Sequence, residues 1–306
     1  MIAFGAAVTD VEQYERYALP GIKLASEPDS HVFTQQTMGS LFRNYNLMLE
    51  LAGELPDLEA LVLVHQDTEL VDSDFCEKVR AALGDPDVGL VGCAGAIGVR
   101  SIAWWEGAVT WASFTHRYEE LGGGDFPAMT WDSGNAPPVA QMGEVDSIDG
   151  FLMVISPWAV RELRFDETLG VLHGYDFDFC CQVREAGKKV ITADLRAIHH
   201  HSLELISDPE GWMATYIRLI EKWEGKVPHV GGSSDNLRMR ALRAEAEAAY
   251  VKGKALSNEL KAEAVSRLKR EMEESTSWRI TRPLRSFGRR LRRSRRNGTG
   301  QLDDSD

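Results

Sequence analysis

No apolar run in this sequence of 306 residues approaches the ~18 residues that a membrane-spanning helix needs, so any membrane contact is expected to be peripheral. The opening Met1-Ile2-Ala3-Phe4-Gly5-Ala6-Ala7-Val8 lacks the basic flank of a secretory signal and runs into a polar turn at Thr9-Asp10, which predicts a first strand. Cysteine is scarce. Cys76, Cys93, Cys180 and Cys181 show no CxxC spacing, and the adjacent pair Cys180-Cys181 is poorly placed for a bridge, so all four read as reduced packing residues of a cytoplasmic protein. A Gly-rich phosphate loop is also missing, since Gly5-Ala6-Ala7-Val8-Thr9-Asp10 is a poor one, and this weighs against a nucleotidyltransferase. Internal repeats are absent.

What is present suffices for a full core. With 43% hydrophobic residues the chain can bury an α/β interior, and its length suits one domain of roughly 200–230 residues plus an appendage. The formal charge of −13 is unevenly spread: Arg279 to Arg296 holds nine arginines and no acid, so the remainder sums to −22. An acidic body argues against nucleic acid as a partner, while the arginine-rich end suits a polyanion such as the inner face of an anionic membrane.

Short apolar runs alternate with helical patterns through the first two hundred residues. Strands are predicted at Ile2–Val8, Leu61–His65, Val88–Gly92, Phe151–Ile155 and Lys189–Ala193, with a further one at Arg196–His199. Helices are predicted at Val11–Ala25, Thr37–Glu54, Ser73–Leu83, Pro157–Leu163 and Asp176–Ala186. This alternation predicts a layered α/β domain with a mostly parallel sheet, whose ligands sit beyond the carboxyl ends of the strands, just after Val8, Val64 and Ile198. Trp104 to Gly143 shows no sustained period and reads as a long irregular segment. Leu237 to Glu274, with no proline and one glycine, reads as a long exposed helix. The expected domains are 1–230, a helical extension over 231–276 that can pair two copies of the chain, and a basic tail over 277–306.

Three segments carry chemistry. Leu61-Val62-Leu63-Val64-His65-Gln66-Asp67 is a buried strand ending in a carboxylate, and a hard oxygen ligand there suits Mg²⁺ or Mn²⁺; as a turn residue the same aspartate is structural. Asp146-Ser147-Ile148-Asp149-Gly150 leads into a second strand, followed by Phe165-Asp166-Glu167 and His173-Gly174-Tyr175-Asp176-Phe177-Asp178. Asp176 and Asp178 sit where a helix dipole favours carboxylates, so capping is one reading of each; for Asp176 the functional reading is preferred, because an acceptor hydroxyl needs a carboxylate base. The run His199-His200-His201 ends the last strand. Imidazole is a ligand for Mn²⁺, and alternate strand residues share a face, so His199 and His201 are candidates together and at most one or two of the three are ligands.

An opening strand with a polar turn, Tyr45-Asn46, a strand ending in an acidic motif, Asp149-Gly150 before a strand, Phe165-Asp166-Glu167, Tyr175-Asp176-Phe177-Asp178 with Ala186-Gly187, and a closing His with Ser202 together resemble the family 2 glycosyltransferases of GT-A fold. Within them the likeness is to the rhamnosyltransferase-like, HQD-containing branch, and it extends over about Ile2 to Ser202. The resemblance implies a Rossmann-type, mostly parallel sheet with helices on both faces, a nucleotide-sugar donor and a divalent metal, Mn²⁺ or Mg²⁺. It implies that Asp67 is the metal-binding aspartate, that His65 stands at the motif's first aspartate with a nucleotide or metal role, and that His199 lies by the metal and diphosphate. Asp149 matches the acid before the acceptor-side strand, Asp176 the base of inverting members, and Thr9, Asp10 and Asn46 positions that contact the nucleotide. Inversion follows: Asp176 deprotonates a glycan, lipid-linked or protein hydroxyl, which displaces the nucleoside diphosphate.

Trp104, Trp105, Trp111 and Trp131 suit stacking on acceptor sugars, with burial in the core as the other reading. In the tail, Ile280, Leu284, Phe287 and Leu291 form one apolar face among arginines, the pattern of a helix lying on anionic lipid, or else a disordered tail or docking face. The rival functions are a non-catalytic GT-A-like binding or scaffold protein, which His65 in the metal motif favours, and a nucleotidyltransferase.

Overall fold

The computed structural model describes residues 1–36, 39–104, 107–117, 125–127, 142–200, 208–230, 237–276 and 278. Its first half is built around three buried strands, Ile2–Val8, Ala60–Val64 and Val88–Gly92. β1 (Ile2–Val8) is followed by α1 (Val11–Arg16) and α2 (Ala18–Ala25), then β2 (His31–Gln36), α3 (Leu41–Gly53), β3 (Ala60–Val64), β4 (Thr68–Leu70), α4 (Phe75–Ala82), β5 (Val88–Gly92) and β6 (Ala94–Ile97). The second half holds β7 (Ala108–Ala112), β8 (Phe114–Arg117), β9 (Asp125–Pro127), β10 (Ser147–Ile148), β11 (Leu152–Ile155), α5 (Pro157–Glu162), α6 (Tyr175–Glu185), β12 (Lys189–Thr192), β13 (Ala197–His199), α7 (Pro209–Trp223) and α8 (Leu237–Glu274).

The central sheet has the order β12-β5-β11-β3-β1-β2, and every neighbouring pair is parallel except those made by β11, which runs against both β3 and β5. Adjacent residues of a strand face opposite sides of the sheet, and β1 has a helix on each. Phe4 meets Phe75 of α4 with ring centroids 6.1 Å apart, whereas a Cβ on Gly5 would run into Met48 of α3. The α/β class, the mostly parallel sheet and helices on both faces are thus as the sequence pattern implies. Beside this sheet lie a three-stranded sheet, β10-β6-β7, and a four-stranded one, β4-β13-β8-β9. All four cysteines are free and buried.

Several expectations need correction. Val11–Ala25 is two helices, because a continuous one would set the ring of Pro20 against the carbonyl of Arg16; the chain breaks at Tyr17 (φ −120°, ψ −66°), and Pro20 falls in the first turn of α2. The helix expected from Thr37 starts at Leu41, after Gly39 at φ 137° and with Ser40 as its cap. The segment from Trp104, read as irregular, contains β7, β8 and β9, while residues 105–106, 118–124 and 128–141 lie outside the described residues. β2, β4, β6 and α7 had no counterpart in the sequence pattern.

The chain divides into two compact units, Met1–Ser233 and Ser234–Asp306. The second contains α8, whose 38 residues carry Leu256, Leu260 and Leu268 at 57–62% exposure. The basic tail from residue 279 onward lies outside the described residues. Among the described residues no helix is long and apolar enough to cross a membrane.

Candidate functional site

Strand pairing brings the first two histidine and acid positions together. β13 pairs antiparallel with β4, placing His199 opposite Thr68, and the His200 amide donates to the Asp67 carbonyl at 2.8 Å. Asp67 Oδ1 then lies 3.5 Å from His199 Nε2 and 4.0 Å from His65 Nδ1. One ligand atom from each of His65, Asp67 and His199 falls within 4.8 Å of the others, a spacing suited to a single ion. Two imidazoles and a carboxylate are a donor set that fits Mn²⁺ and related divalent cations. Burial alone would lower the pKa of His199, but Asp67 beside it outweighs burial and holds it above the ordinary value. The His199 ring stacks on Phe151 at 4.5 Å. His200 turns elsewhere, to Glu69 Oε2 at 2.9 Å and flat against Tyr17 at 3.6 Å, while His201 lies outside the described residues.

The second wall comes from β11 and α6. Because β11 runs against β3, its leading turn Asp149-Gly150-Phe151 arrives where β3 ends, and the His65 amide donates to the Phe151 carbonyl at 3.0 Å. Gly174 begins α6 in the left-handed region (φ 82°), where a side chain would also collide with Leu219, Ile102 and Thr215, so glycine is required. That turn sets Tyr175 and Asp176 in the first helical turn. Asp176 accepts the amides of Gly150 (3.1 Å) and Phe177 (2.8 Å). Burial, and then the nearby Asp149 carboxylate, push the Asp176 pKa up to about 7 against the lowering effect of those amides. Asp149 is held by Trp104 Nε1 at 2.8 Å, so Trp104 is buried and engaged with a carboxylate. Tyr175 Oη meets His65 Nε2 at 2.6 Å, which ties the two walls together.

The remaining expected residues divide. Thr9 and Asp10 form the β1–α1 turn: both amides donate to Gln66 Oε1, at 2.8 and 3.0 Å, and Asp10 caps α1 through the Gln13 amide. Asn46 uses both ends of its amide on the Phe165 backbone, donating at 2.9 Å and accepting at 2.8 Å. Asp178 is fully buried and bound to Lys222 Nζ, Trp223 Nε1 and Gln182 Nε2, each at 2.7 Å, so it secures α7 against α6 and does not cap the helix. Gln66 and Tyr175 were not singled out as site residues. The one signal for Gln66 was its place between His65 and Asp67.

A family model described as "Glycosyltransferase like family" matches residues 3–211. The chain belongs to that family. Among curated proteins, the streptomycin biosynthesis protein StrF of Streptomyces griseus is 30% identical over 205 residues, which are 66% of this chain and 67% of that one. Among solved structures, GalNAc-T7 with UDP, GalNAc and Mn²⁺ is 12% identical with a TM-score of 0.49, over 74% of this chain and 48% of that chain. The mannosyltransferase PcManGT from Pyrobaculum calidifontis, in complex with GDP-Man and Mn²⁺, is 13% identical with a TM-score of 0.43, over 91% and 81%. At such scores the likeness to both structures is partial. The membership makes the protein a glycosyltransferase, without assigning it to the rhamnosyltransferase-like branch.

Proposed function

We propose that this glycosyltransferase moves a sugar from a nucleotide-sugar donor to a hydroxyl of a glycan, lipid-linked or protein acceptor, with inversion and with a divalent metal, Mn²⁺ or Mg²⁺. The observation that carries the reading is the meeting of His65, Asp67 and His199 within 4.8 Å on one wall, with Asp176 on the facing turn. Those three residues would hold the cation, which would supply positive charge to the diphosphate of the donor. On the other wall Asp176, with a pKa raised to about 7, takes the proton of the acceptor hydroxyl. The acceptor oxygen bonds to the anomeric carbon as the bond from that carbon to the diphosphate oxygen breaks, and its electron pair stays with the nucleoside diphosphate. Asp149 keeps the turn before β11 in place through Trp104 and the Phe151 amide. Thr9 and Asp10, in the turn fixed by Gln66, border the nucleotide side.

The test is Asp67→Ala with calorimetry against UDP-, GDP- and dTDP-sugars, in Mn²⁺ and in chelator. The parent is expected to bind one donor only with metal, and the variant to lose that binding while keeping its circular dichroism spectrum. Unchanged metal-dependent binding in the variant removes Asp67 from the site.

A further inference from the structure

We propose that Tyr175 is a positioning residue for His65: its hydroxyl oxygen accepts from His65 Nε2–H and so leaves the Nδ1 lone pair facing Asp67 and His199. This rests on the metal reading above. The geometry has three parts. Tyr175 Oη and His65 Nε2 are 2.6 Å apart, and Nδ1 of the same ring is the atom turned to Asp67 Oδ1 at 4.0 Å. An imidazole has one proton to place when neutral, so engaging Nε2 as the donor makes Nδ1 the ligand atom. Tyr175 itself has little freedom. It is 6% exposed, its ring packs edge-on against Tyr45 at 5.4 Å and Phe42 at 6.1 Å, and a Cβ on Gly150 would collide with its hydroxyl.

The placement has a consequence for the reaction. Tyr175 is bonded in sequence to Asp176, and Asp176 accepts the amide of Gly150, the residue against which the Tyr175 hydroxyl packs. A displacement of this ring therefore disturbs the metal wall and the base wall together. The glycine at position 150 keeps that hydroxyl in reach of His65. The backbones of Asp67 and His199 are brought together by strand pairing and by the His200 amide on the Asp67 carbonyl.

Two measurements on the full-length protein test this. Calorimetry with Mn²⁺ alone, without donor, compares the parent, Tyr175→Phe, His65→Gln and the double variant. The expected loss for Tyr175→Phe is about 10–100-fold in affinity, with no further loss when it is added to His65→Gln. Unchanged affinity in Tyr175→Phe overturns the proposal, and so does an equal loss in both backgrounds, which marks an effect on the fold at large. Nitrogen-15 spectra of histidine-labelled protein, with His65 assigned from His65→Gln, read the proton directly and without metal. A protected Nε2–H that begins to exchange with solvent in Tyr175→Phe is expected. A proton on Nδ1 in the parent overturns the assignment. A parent that binds no Mn²⁺ yet shows the protected Nε2–H refutes the metal reading and leaves the Tyr175 contact standing.

Discussion

Asp146 and Asp149 are three residues apart, and Asp176 and Asp178 only two, yet each pair sends its members into opposite surroundings. Asp146 is fully buried among Arg184 at 2.8 Å, His229 at 2.8 Å and the amides of Gly98 and Val230. Asp178 is fully buried against Lys222. Asp149 and Asp176 remain partly open and are held by neutral donors, an indole and backbone amides. A buried carboxylate joined to a cation is a fastener, because the cation satisfies its charge. Asp176, held only by neutral groups, has its pKa pushed up to about 7 by burial and by the second acid beside it. Both pairs lie in short acidic segments of the sequence, one flanking β10 and one opening α6, and in each the partner decides the role.

Swapping members of the two sets tests that contrast. The largest expected effect is in turnover: Asp176→Asn lowers transfer by about 10²–10⁴-fold with donor affinity nearly unchanged. Parental turnover in this variant removes Asp176 as the base and brings Asp149 forward. In the parent, transfer should climb as pH rises through about 7, where Asp176 loses its proton, and the variant should lack that limb. The same shift has a stability sign. The folded pKa lies above the ordinary 3.8, so the favourable contribution is full below about 4 and is lost as pH rises through about 7. Denaturant titrations across that window should therefore show the parent weakening with pH relative to Asp176→Asn.

Next comes Asp146→Ala, which leaves Arg184, only 8% exposed, without its carboxylate. Removing one partner of a buried pair costs about 3–5 kcal/mol. Urea unfolding should show a loss of that order, and turnover per folded molecule should hold. A fall in turnover without a fall in stability would dissolve the distinction between the two regions. The smallest effect is expected for Gln66→Ala, which frees the Thr9 and Asp10 amides. Losing such hydrogen bonds costs about 1 kcal/mol, and because these amides border the proposed nucleotide, donor affinity should fall by about fivefold with turnover at saturation preserved. Equal donor affinity would place the β1–α1 turn outside the nucleotide side.

How much of this the sequence disclosed depends on whether a residue's partner was local. β1 and β5 match their expected spans because each is an apolar run buried along nearly its whole length. β2 was missed because it is an edge strand with four of its six residues exposed and none fully buried, so His31-Val32-Phe33-Thr34-Gln35-Gln36 has no apolar run to find. Pro20 did mark the break between α1 and α2, but the helical period on both sides of it masked the signal. Asp67, His199 and Asp176 were visible because strand ends and helix starts are local features. The contact of Tyr175 with His65 spans 110 residues, and nothing in either segment announces the other. Asp178 and Asp146 were ambiguous for the same reason: Lys222 is 44 residues from the first, and His229 is 83 from the second.

β11 is the one strand of the central sheet that runs against its neighbours. Strands that share a direction all deliver outgoing chain to the same edge, so a pocket there is normally walled by chain on its way to the next helix. Here the antiparallel strand feeds incoming chain to that edge, and Asp149 and Gly150 are its final residues before pairing begins. The chain entering β11 thus reaches that edge from β10, with no need to pass through the His65–Asp67 turn. The interval between β6 and β10 also carries β8, which pairs in parallel with β13 and sets His116 opposite His199, so a segment exchanged there is felt on both walls of the site. A chimaera meant to exchange the Asp149–Asp176 wall alone therefore has to keep β8 together with β13.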